Sequence, residues 1–293
     1  MKNVIEIKDL KKYFGKTRAV DGVEVAVEQG EIFGFLGPNG AGKTTLIRCL
    51  MDFIRPTAGK ISILGKDSIK DSAELKKEIG FLPGNIRLYD TWTGDQHIDF
   101  YRSMGADPRV ADCLIKKLDF DSKKRFKNLS SGNKQKLGVI LALMKKPKIL
   151  IMDEPTNALD PLLQNQVHQL LKEEKKNGTT VFISSHNLSE VERICDRVAI
   201  IKEGKVIATE NIRSLKEKRI HTTTAYFFER ARKDELSGIP GIEFIEEISD
   251  GLVIRSKGDI NPLIKKLSCY KLKDIEISHA SLEEIFLEFY NNK

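Results

Sequence analysis

No apolar run in this sequence is long enough to cross a membrane as a helix. A spanning helix needs about 20 consecutive apolar residues, and the longest run, Leu137 to Met144, stops at Lys145-Lys146-Pro147. The opening residues Met1-Lys2-Asn3-Val4-Ile5-Glu6 place an acid where an export signal needs its apolar stretch, so no secretory leader is expected. Cysteine is scarce. Cys49, Cys113, Cys195 and Cys269 are far apart and form no C-x-x-C pair, which argues against a disulfide framework or a cysteine metal site and for a reducing compartment. There is no low-complexity segment and no basic stripe interleaved with aromatics of the kind that binds single strands. The net charge of +7 admits nucleic acid, an anionic membrane or nucleotide as partner. The short runs Lys123-Lys124-Arg125 and Lys145-Lys146 read as solvated surface, and no nucleic-acid partner is expected.

A chain of 293 residues suggests two domains, and its 40% hydrophobic and 31% charged content is that of an ordinary globular protein. One stretch carries chemistry on its face. Gly37-Pro38-Asn39-Gly40-Ala41-Gly42-Lys43-Thr44-Thr45 fits G-x-x-x-x-G-K-[ST], between the apolar Glu31–Leu36 and the helically spaced Thr45–Met51. That strand–loop–helix setting is the one in which glycines 37, 40 and 42 let backbone N–H groups close on phosphate oxygens. Asn39, Ala41 and Thr45 complete the cradle, Lys43 reaches the β- and γ-phosphates, and Thr44 offers its hydroxyl to Mg2+. The loop therefore predicts a nucleoside triphosphate. A GTPase would also carry N-K-x-D, and the nearest string, Asn133-Lys134-Gln135-Lys136, lacks the aspartate.

Along the chain, Val4–Ile7 and Val23–Val27 alternate as half-buried strands. Lys12-Tyr13-Phe14-Gly15-Lys16 between them reads as a turn bearing an aromatic pair, either a base-stacking group or a satellite of the core. Ile61–Leu64, Ile79–Leu82, Lys148–Met152 and Thr179–Ile183 are further strands, with Glu203-Gly204 as a hairpin signal before Lys205–Ala208. From Asp95 to about Leu143 the period is helical, with Asp107-Pro108 as a helix start, so a helical subdomain at about 85–145 interrupts an α/β domain with a largely parallel sheet. After Lys216 the pattern changes to strand, helix (Arg230–Leu236), strand, the turn Asp250-Gly251, strand, helix and strand. We expect a nucleotide-binding domain over 1–216 and a small α+β domain over 217–293, ferredoxin-like in element order. A last amphipathic helix from Ser281 places Leu282, Ile285, Phe286 and Phe289 on one face, with Glu284 closing a capping box.

Leu129-Ser130-Ser131-Gly132-Asn133, then Asp153-Glu154-Pro155 after an apolar strand, then Asn157-Ala158-Leu159-Asp160, then His186, resemble in order and spacing the ATP-binding-cassette (ABC) family. The resemblance covers about the first two-thirds of the chain and implies a P-loop ABC-type ATPase fold. It gives Asp153 the Mg2+ ion with Thr44, Glu154 the general base, and His186 and Lys43 contacts to the γ-phosphate. It makes Asn157–Asp160 the loop across a dimer interface, so that Asp160 belongs to the composite site. Ser130 and Gly132 bind the γ-phosphate held by the opposite subunit, and Phe14 stacks on adenine, with Tyr13 as the alternative. Two cassettes then enclose two ATP molecules, and a partner chain supplies the second, in a homodimer or a heterodimer.

Two positions depart from the family. Ser131 and Asn133 replace a glycine and a glutamine of the signature, while Ser130 and Gly132 remain. Pro83-Gly84-Asn85 stands where the family has a glutamine that ligates Mg2+ and links the site to the transporter, and Gly84 has no side chain for either task. The ending Ser281–Phe286 is similar to that of the antibiotic and multidrug export branch. The expected function is thus the ATPase subunit of a membrane exporter, at the cytoplasmic face of the membrane, with a transmembrane permease on a separate chain. An importer subunit is an alternative. So is a cassette acting on ribosomes or DNA, although that class carries two cassettes in one chain or a very long coiled-coil insertion, absent here. Lys43 and Glu154 together argue against a non-hydrolysing regulator. The C-terminal domain either regulates, dimerises or covers apolar surface.

Overall fold

The computed structural model describes residues 2–217, 220–229 and 232–279. The chain divides into two compact units, Met1–Glu210 and Asn211–Lys293. The first begins with a long antiparallel hairpin, β1 (Asn3–Phe14) and β2 (Thr17–Glu28), whose alternating apolar residues Ile5, Ile7, Val23, Val25 and Val27 are buried. The turn is shorter than expected: Lys12, Tyr13 and Phe14 continue β1, and only Gly15-Lys16 turn between the paired Phe14 and Thr17. Side-chain bonds hold the extension, since Tyr13 Oη donates to Asp21 (2.5 Å) and Tyr13 N–H to Thr57 Oγ1 (3.0 Å).

The remaining elements of this unit follow in order. They are β3 (Ile32–Leu36), α1 (Lys43–Leu50), β4 (Ala58–Ile63), β5 (Lys66–Asp67), α2 (Ser72–Glu78), β6 (Ile79–Leu82), α3 (Gly94–Ser103), α4 (Pro108–Lys117) and α5 (Ser131–Leu143). Then come β7 (Ile149–Asp153), α6 (Pro161–Lys176), β8 (Thr180–Ser185), α7 (Leu188–Ile194), β9 (Arg197–Lys202) and β10 (Lys205–Asn211). They build two sheets rather than one. β2-β1-β4-β5 is antiparallel, and β10-β9-β3-β8-β7-β6 is parallel from β9 through β6. β3, β7 and β8 are buried at every residue, as central parallel strands are. The core joins both sheets and α1, with Phe33 and Phe35 packed on Phe182 at 5.9 and 5.7 Å between ring centres. Full burial of each such ring stabilises by about 1.5–3 kcal/mol.

The three helices between β6 and β7 are capped by their own sequence. Thr93 and Gln96 form a reciprocal capping box on α3, Asp107 caps α4 with Pro108 at its first position, and Ser130 caps α5. Because β3, β7 and β8 run parallel, the chain leaves all three at one edge of the sheet. Gly37, Glu154 and His186 follow there, where ligands of open α/β sheets sit.

The second unit holds α8 (Ile212–Glu217), β11 (Ile220–Phe227), α9 (Asp234–Ser237), β12 (Ile242–Ile248), β13 (Gly251–Lys257), α10 (Asn261–Leu267) and β14 (Leu272–His279). The strand order β12-β13-β11-β14, all antiparallel, is a split strand–helix–strand arrangement around Ala225, Ile245, Leu252, Ile254, Leu263 and Leu267. The helix expected over Arg230–Leu236 is α9, which starts at Asp234 and ends at Ser237; Arg230 and Ala231 lie outside the described residues. The hairpin turn is Ser249-Asp250, with Gly251 already in β13, where an added Cβ would lie 2.2 Å from the Ala225 carbonyl oxygen. The amphipathic stretch from Ser281, with Leu282, Glu284, Ile285, Phe286 and Phe289, lies outside the described residues.

The cysteines divide by burial. Burial pushes the Cys49 thiol up to about 11 and raises Cys195 well above its ordinary value, whereas Cys113 and Cys269 are exposed. The thiolate is the nucleophile, so iodoacetamide at neutral pH is expected to label Cys113 and Cys269 in the folded chain and all four only after denaturation. Mass mapping of the labelled peptides checks this.

Candidate nucleotide site

Gly37–Thr45 wraps from the end of β3 into α1. Gly42 sits at φ 111° as the residue before the helix, and a Cβ there would lie 2.2 Å from the Ala19 carbonyl oxygen. Gly37 is as tightly placed, 2.4 Å from the Ile201 carbonyl by the same measure. Lys43, 5% exposed, donates to the carbonyls of Gly37 (2.7 Å) and Pro38 (3.1 Å) and pairs with Glu154 Oε1 at 3.3 Å. Thr44 Oγ1 donates to Asp153 Oδ2 (2.8 Å), and Ser184 Oγ donates to Asp153 Oδ1 (2.5 Å). Glu154 stands at φ 53°, its N–H shared between Ser184 Oγ and the Ser184 carbonyl, and its Oε2 lies 2.5 Å from His186 Nδ1. Non-glycine residues in that left-handed region carry a cost of about 1–3 kcal/mol and concentrate at functional sites.

These groups line two adjoining cavities. One of about 600 Å³ is bounded by Asn39, Thr44, Gly84, Asp153, Glu154 and His186. The other, about 300 Å³, is bounded by Arg18, Gly40, Gly42, Lys43, Thr45 and Glu203. A larger hollow of about 800 Å³ lies between α4 and the end of α6, but its Lys117 and Lys146 are already paired with Glu173 and Asp107. The chemistry therefore belongs to the smaller pair.

Not every predicted residue converges there. Gly37, Asn39, Gly40, Ala41, Gly42, Lys43, Thr44, Thr45, Asp153, Glu154 and His186 come together. Phe14 stands apart on the β1–β2 hairpin, half exposed, with Lys12 Nζ 4.9 Å from its ring centre. Ser130 caps α5 through Asn133 N–H (3.3 Å), and Asp160 caps α6 through Leu163 N–H (2.9 Å). Gly132 faces the Asn157–Asp160 loop, its Cβ position 3.5 Å from the Ala158 carbonyl oxygen.

The chain is 32% identical over 296 residues to the uncharacterized ABC transporter ATP-binding protein YhcH of Bacillus subtilis, covering 98% of this chain and 96% of that protein. It is 34% identical over 309 residues to the bacitracin transport ATP-binding protein BcrA of Bacillus licheniformis, covering 98% and 97%. The chain belongs to the ABC transporter family. It is an ATP-binding cassette with ATPase activity. The ABC transporter family profile matches residues 20–157. It is also 36% identical over 212 residues to the linearmycin resistance ATP-binding protein LnrL of Bacillus subtilis, covering 70% of this chain and 68% of that one. A solved ATP-binding subunit of an ABC transporter superposes with a TM-score of 0.67 at 26% identity, over 73% of this chain and 92% of that one.

Three residues of this cassette's site escaped the sequence reading. Gln135, buried on α5, donates Nε2–H to the Pro155 carbonyl (2.8 Å) and so braces the loop after Glu154. Ser184 orients both Asp153 and the Glu154 backbone. Glu190, on α7, ties the loops from beneath. The available signal was polarity in the wrong place: a glutamine on an apolar helix, a serine pair ending a buried strand, and a glutamate just after a helix cap. At Gly84 an added Cβ would sit 3.1 Å from Asp153 Oδ2, so this glycine leaves the carboxylate its room.

Proposed function

We propose that this cassette hydrolyses ATP with Glu154 as general base and powers an exporter whose transmembrane subunit is a separate chain. The observation that carries the chemistry is the Glu154–His186 contact of 2.5 Å beside Lys43 and the phosphate loop. Lys43 already holds oxygen ligands, two carbonyls and a carboxylate, where β- and γ-phosphate oxygens would take their place. Glu154 accepts the proton of the attacking water, and His186 orients that carboxylate and meets the γ-phosphate. Thr44 Oγ1 and Asp153 Oδ2, 2.8 Å apart at the cavity wall, are hard oxygen donors of the kind Mg2+ takes alongside substrate phosphates. Mg2+ held there would neutralise charge on the phosphates. Phe14, half exposed on the hairpin, would stack on adenine once Lys12 leaves its ring.

The export direction draws on relatives named for bacitracin transport and linearmycin resistance. A second cassette completes the site, an arrangement supported by a bacterial ABC transporter cassette solved as a dimer, with a TM-score of 0.65 at 26% identity over 71% of this chain and 98% of that one. Ser130 and Gly132 would then reach the nucleotide of the opposite subunit. Among the described residues no helix is long and apolar enough to cross a membrane. Membrane association at the cytoplasmic face would run through the partner. The surface from Pro83 to Arg102 suits it: Tyr89 and Phe100 are exposed beside Trp92. His97 anchors them by donating Nδ1–H to the Thr93 carbonyl (2.8 Å) and accepting Tyr89 N–H (3.1 Å), and burial lowers its pKa.

Co-fractionation tests the assignment. The chain is expected to travel with membranes, not ribosomes, in low and high salt, when fractionated from cells that make its transmembrane partner. Arg87→Glu and Asp90→Lys should release it from membranes while the ATPase of the isolated chain is unchanged. Recovery with ribosomes would overturn the transport reading.

A further inference from the structure

Beneath the reacting pair lies a buried polar cluster that contributes nothing to the nucleotide cavity. Glu190, 6% exposed, takes three side-chain donors. Thr156 Oγ1 donates to its Oε1 at 2.7 Å, and His168 Nε2 lies 3.4 Å from the same oxygen. Ser185 Oγ donates to Oε2 at 2.6 Å. The Glu190 N–H is itself held by Asn187 Oδ1 (3.3 Å), the cap of α7. His168, 4% exposed, has no hydrogen-bond partner at Nδ1, and its Nε2 is the ring atom that faces the carboxylate.

The donors stand at telling places. Thr156 is two residues beyond Glu154, and Ser185 immediately precedes His186. One carboxylate thereby grips both backbone segments that carry the hydrolytic pair, while Gln135 holds the Pro155 carbonyl between Glu154 and Thr156. A core satisfied only for stability would be served as well by apolar groups, because a buried polar cluster gives little net stability once desolvation is counted. What it does supply is a fixed separation between two chain segments. Glu154 sits at φ 53° and Ala158 at φ 62°, backbone states that persist only where neighbours over-determine them.

We propose that Glu190 is a positioning residue for hydrolysis, setting the Glu154–His186 distance through Thr156 and Ser185. It rests on Glu154 and His186 being the reacting groups. Displacing reacting groups by about 1 Å costs up to about a hundredfold in rate. Thr156→Val removes one donor at nearly constant volume, and Thr156→Ser keeps it. Glu190→Gln keeps shape but turns an acceptor into a donor facing hydroxyl groups.

The test is steady-state ATPase of the full chain, with kcat and KM resolved and thermal melting recorded. Glu190→Gln and Thr156→Val are expected to lower kcat about ten- to a hundredfold with KM for ATP unchanged, and Thr156→Ser to restore it. The proposal is overturned if Thr156→Ser falls as far as Thr156→Val, if either loss appears in KM rather than kcat, or if Thr156→Val turns over like the parent. Glu154→Gln is measured alongside. Full turnover in that variant removes the reacting pair itself, whereas a slowed Glu154→Gln with an unaffected Thr156→Val removes only the positioning role.

Discussion

Glu154→Gln is expected to slow ATP hydrolysis by about 10²–10⁴-fold, the range for a lost general base, while ATP binding survives. The substitution keeps the volume of the side chain and an oxygen for His186 Nδ1, now 2.5 Å from Oε2. What disappears is the negative charge that takes a proton from water. The same change releases Lys43 from its carboxylate at 3.3 Å, so the ammonium turns to phosphate without a competing ion pair, and nucleotide affinity holds or rises. With binding intact and hydrolysis stalled, ATP-bound dimers should accumulate. Size-exclusion chromatography with Mg2+ and ATP, beside a phosphate-release assay, reads both effects. Unchanged turnover would remove Glu154 from the mechanism, and loss of ATP binding would show that its charge organises the loop.

The parts of this site that lie in consecutive residues were legible before any fold was known. Gly37–Thr45 announces its chemistry because the loop's backbone does the binding, and backbone geometry demands glycine at fixed spacing. Asp153 and Glu154 were legible only through the ordered set that resembles the ABC family, since two acids after a strand read equally well as a helix cap. The sheets were less legible. β1 and β4 alternate like any half-buried strands, and nothing in their pattern says that they leave the parallel sheet to pair antiparallel with each other. The turn at Gly15 was misjudged because the bond from Tyr13 to Asp21 is a tertiary fact carried by eight residues of separation. Glu190, Gln135 and Ser184 were hidden for the same reason: each acts across a gap in sequence that only packing closes.

Gly42→Ala is expected to weaken ATP binding by about a hundredfold or more, whereas Gly40→Ala, two residues earlier, should cost far less. Both glycines have positive φ, 111° and 82°, so each substitution meets the backbone penalty of about 1–3 kcal/mol. Their surroundings differ. Around Gly40 nothing lies within 4 Å of a new Cβ, and the methyl group points into open space. At Gly42 the Cβ would lie 2.2 Å from the Ala19 carbonyl oxygen and 3.4 Å from Ile201 Cδ1. The first is backbone of β2 and cannot turn away, so the loop must retreat. Retreat swings the first N–H groups of α1 and the stem of Lys43 off the phosphates, where charge-assisted bonds weaken steeply with distance and angle. A backbone penalty of about 1.4 kcal/mol is one factor of ten in affinity. The displaced cradle supplies the rest. Titration with a fluorescent ATP analogue separates the two variants, and equal losses at Gly40 and Gly42 would show that backbone conformation, not the contact with β2, sets the loop's requirement for glycine.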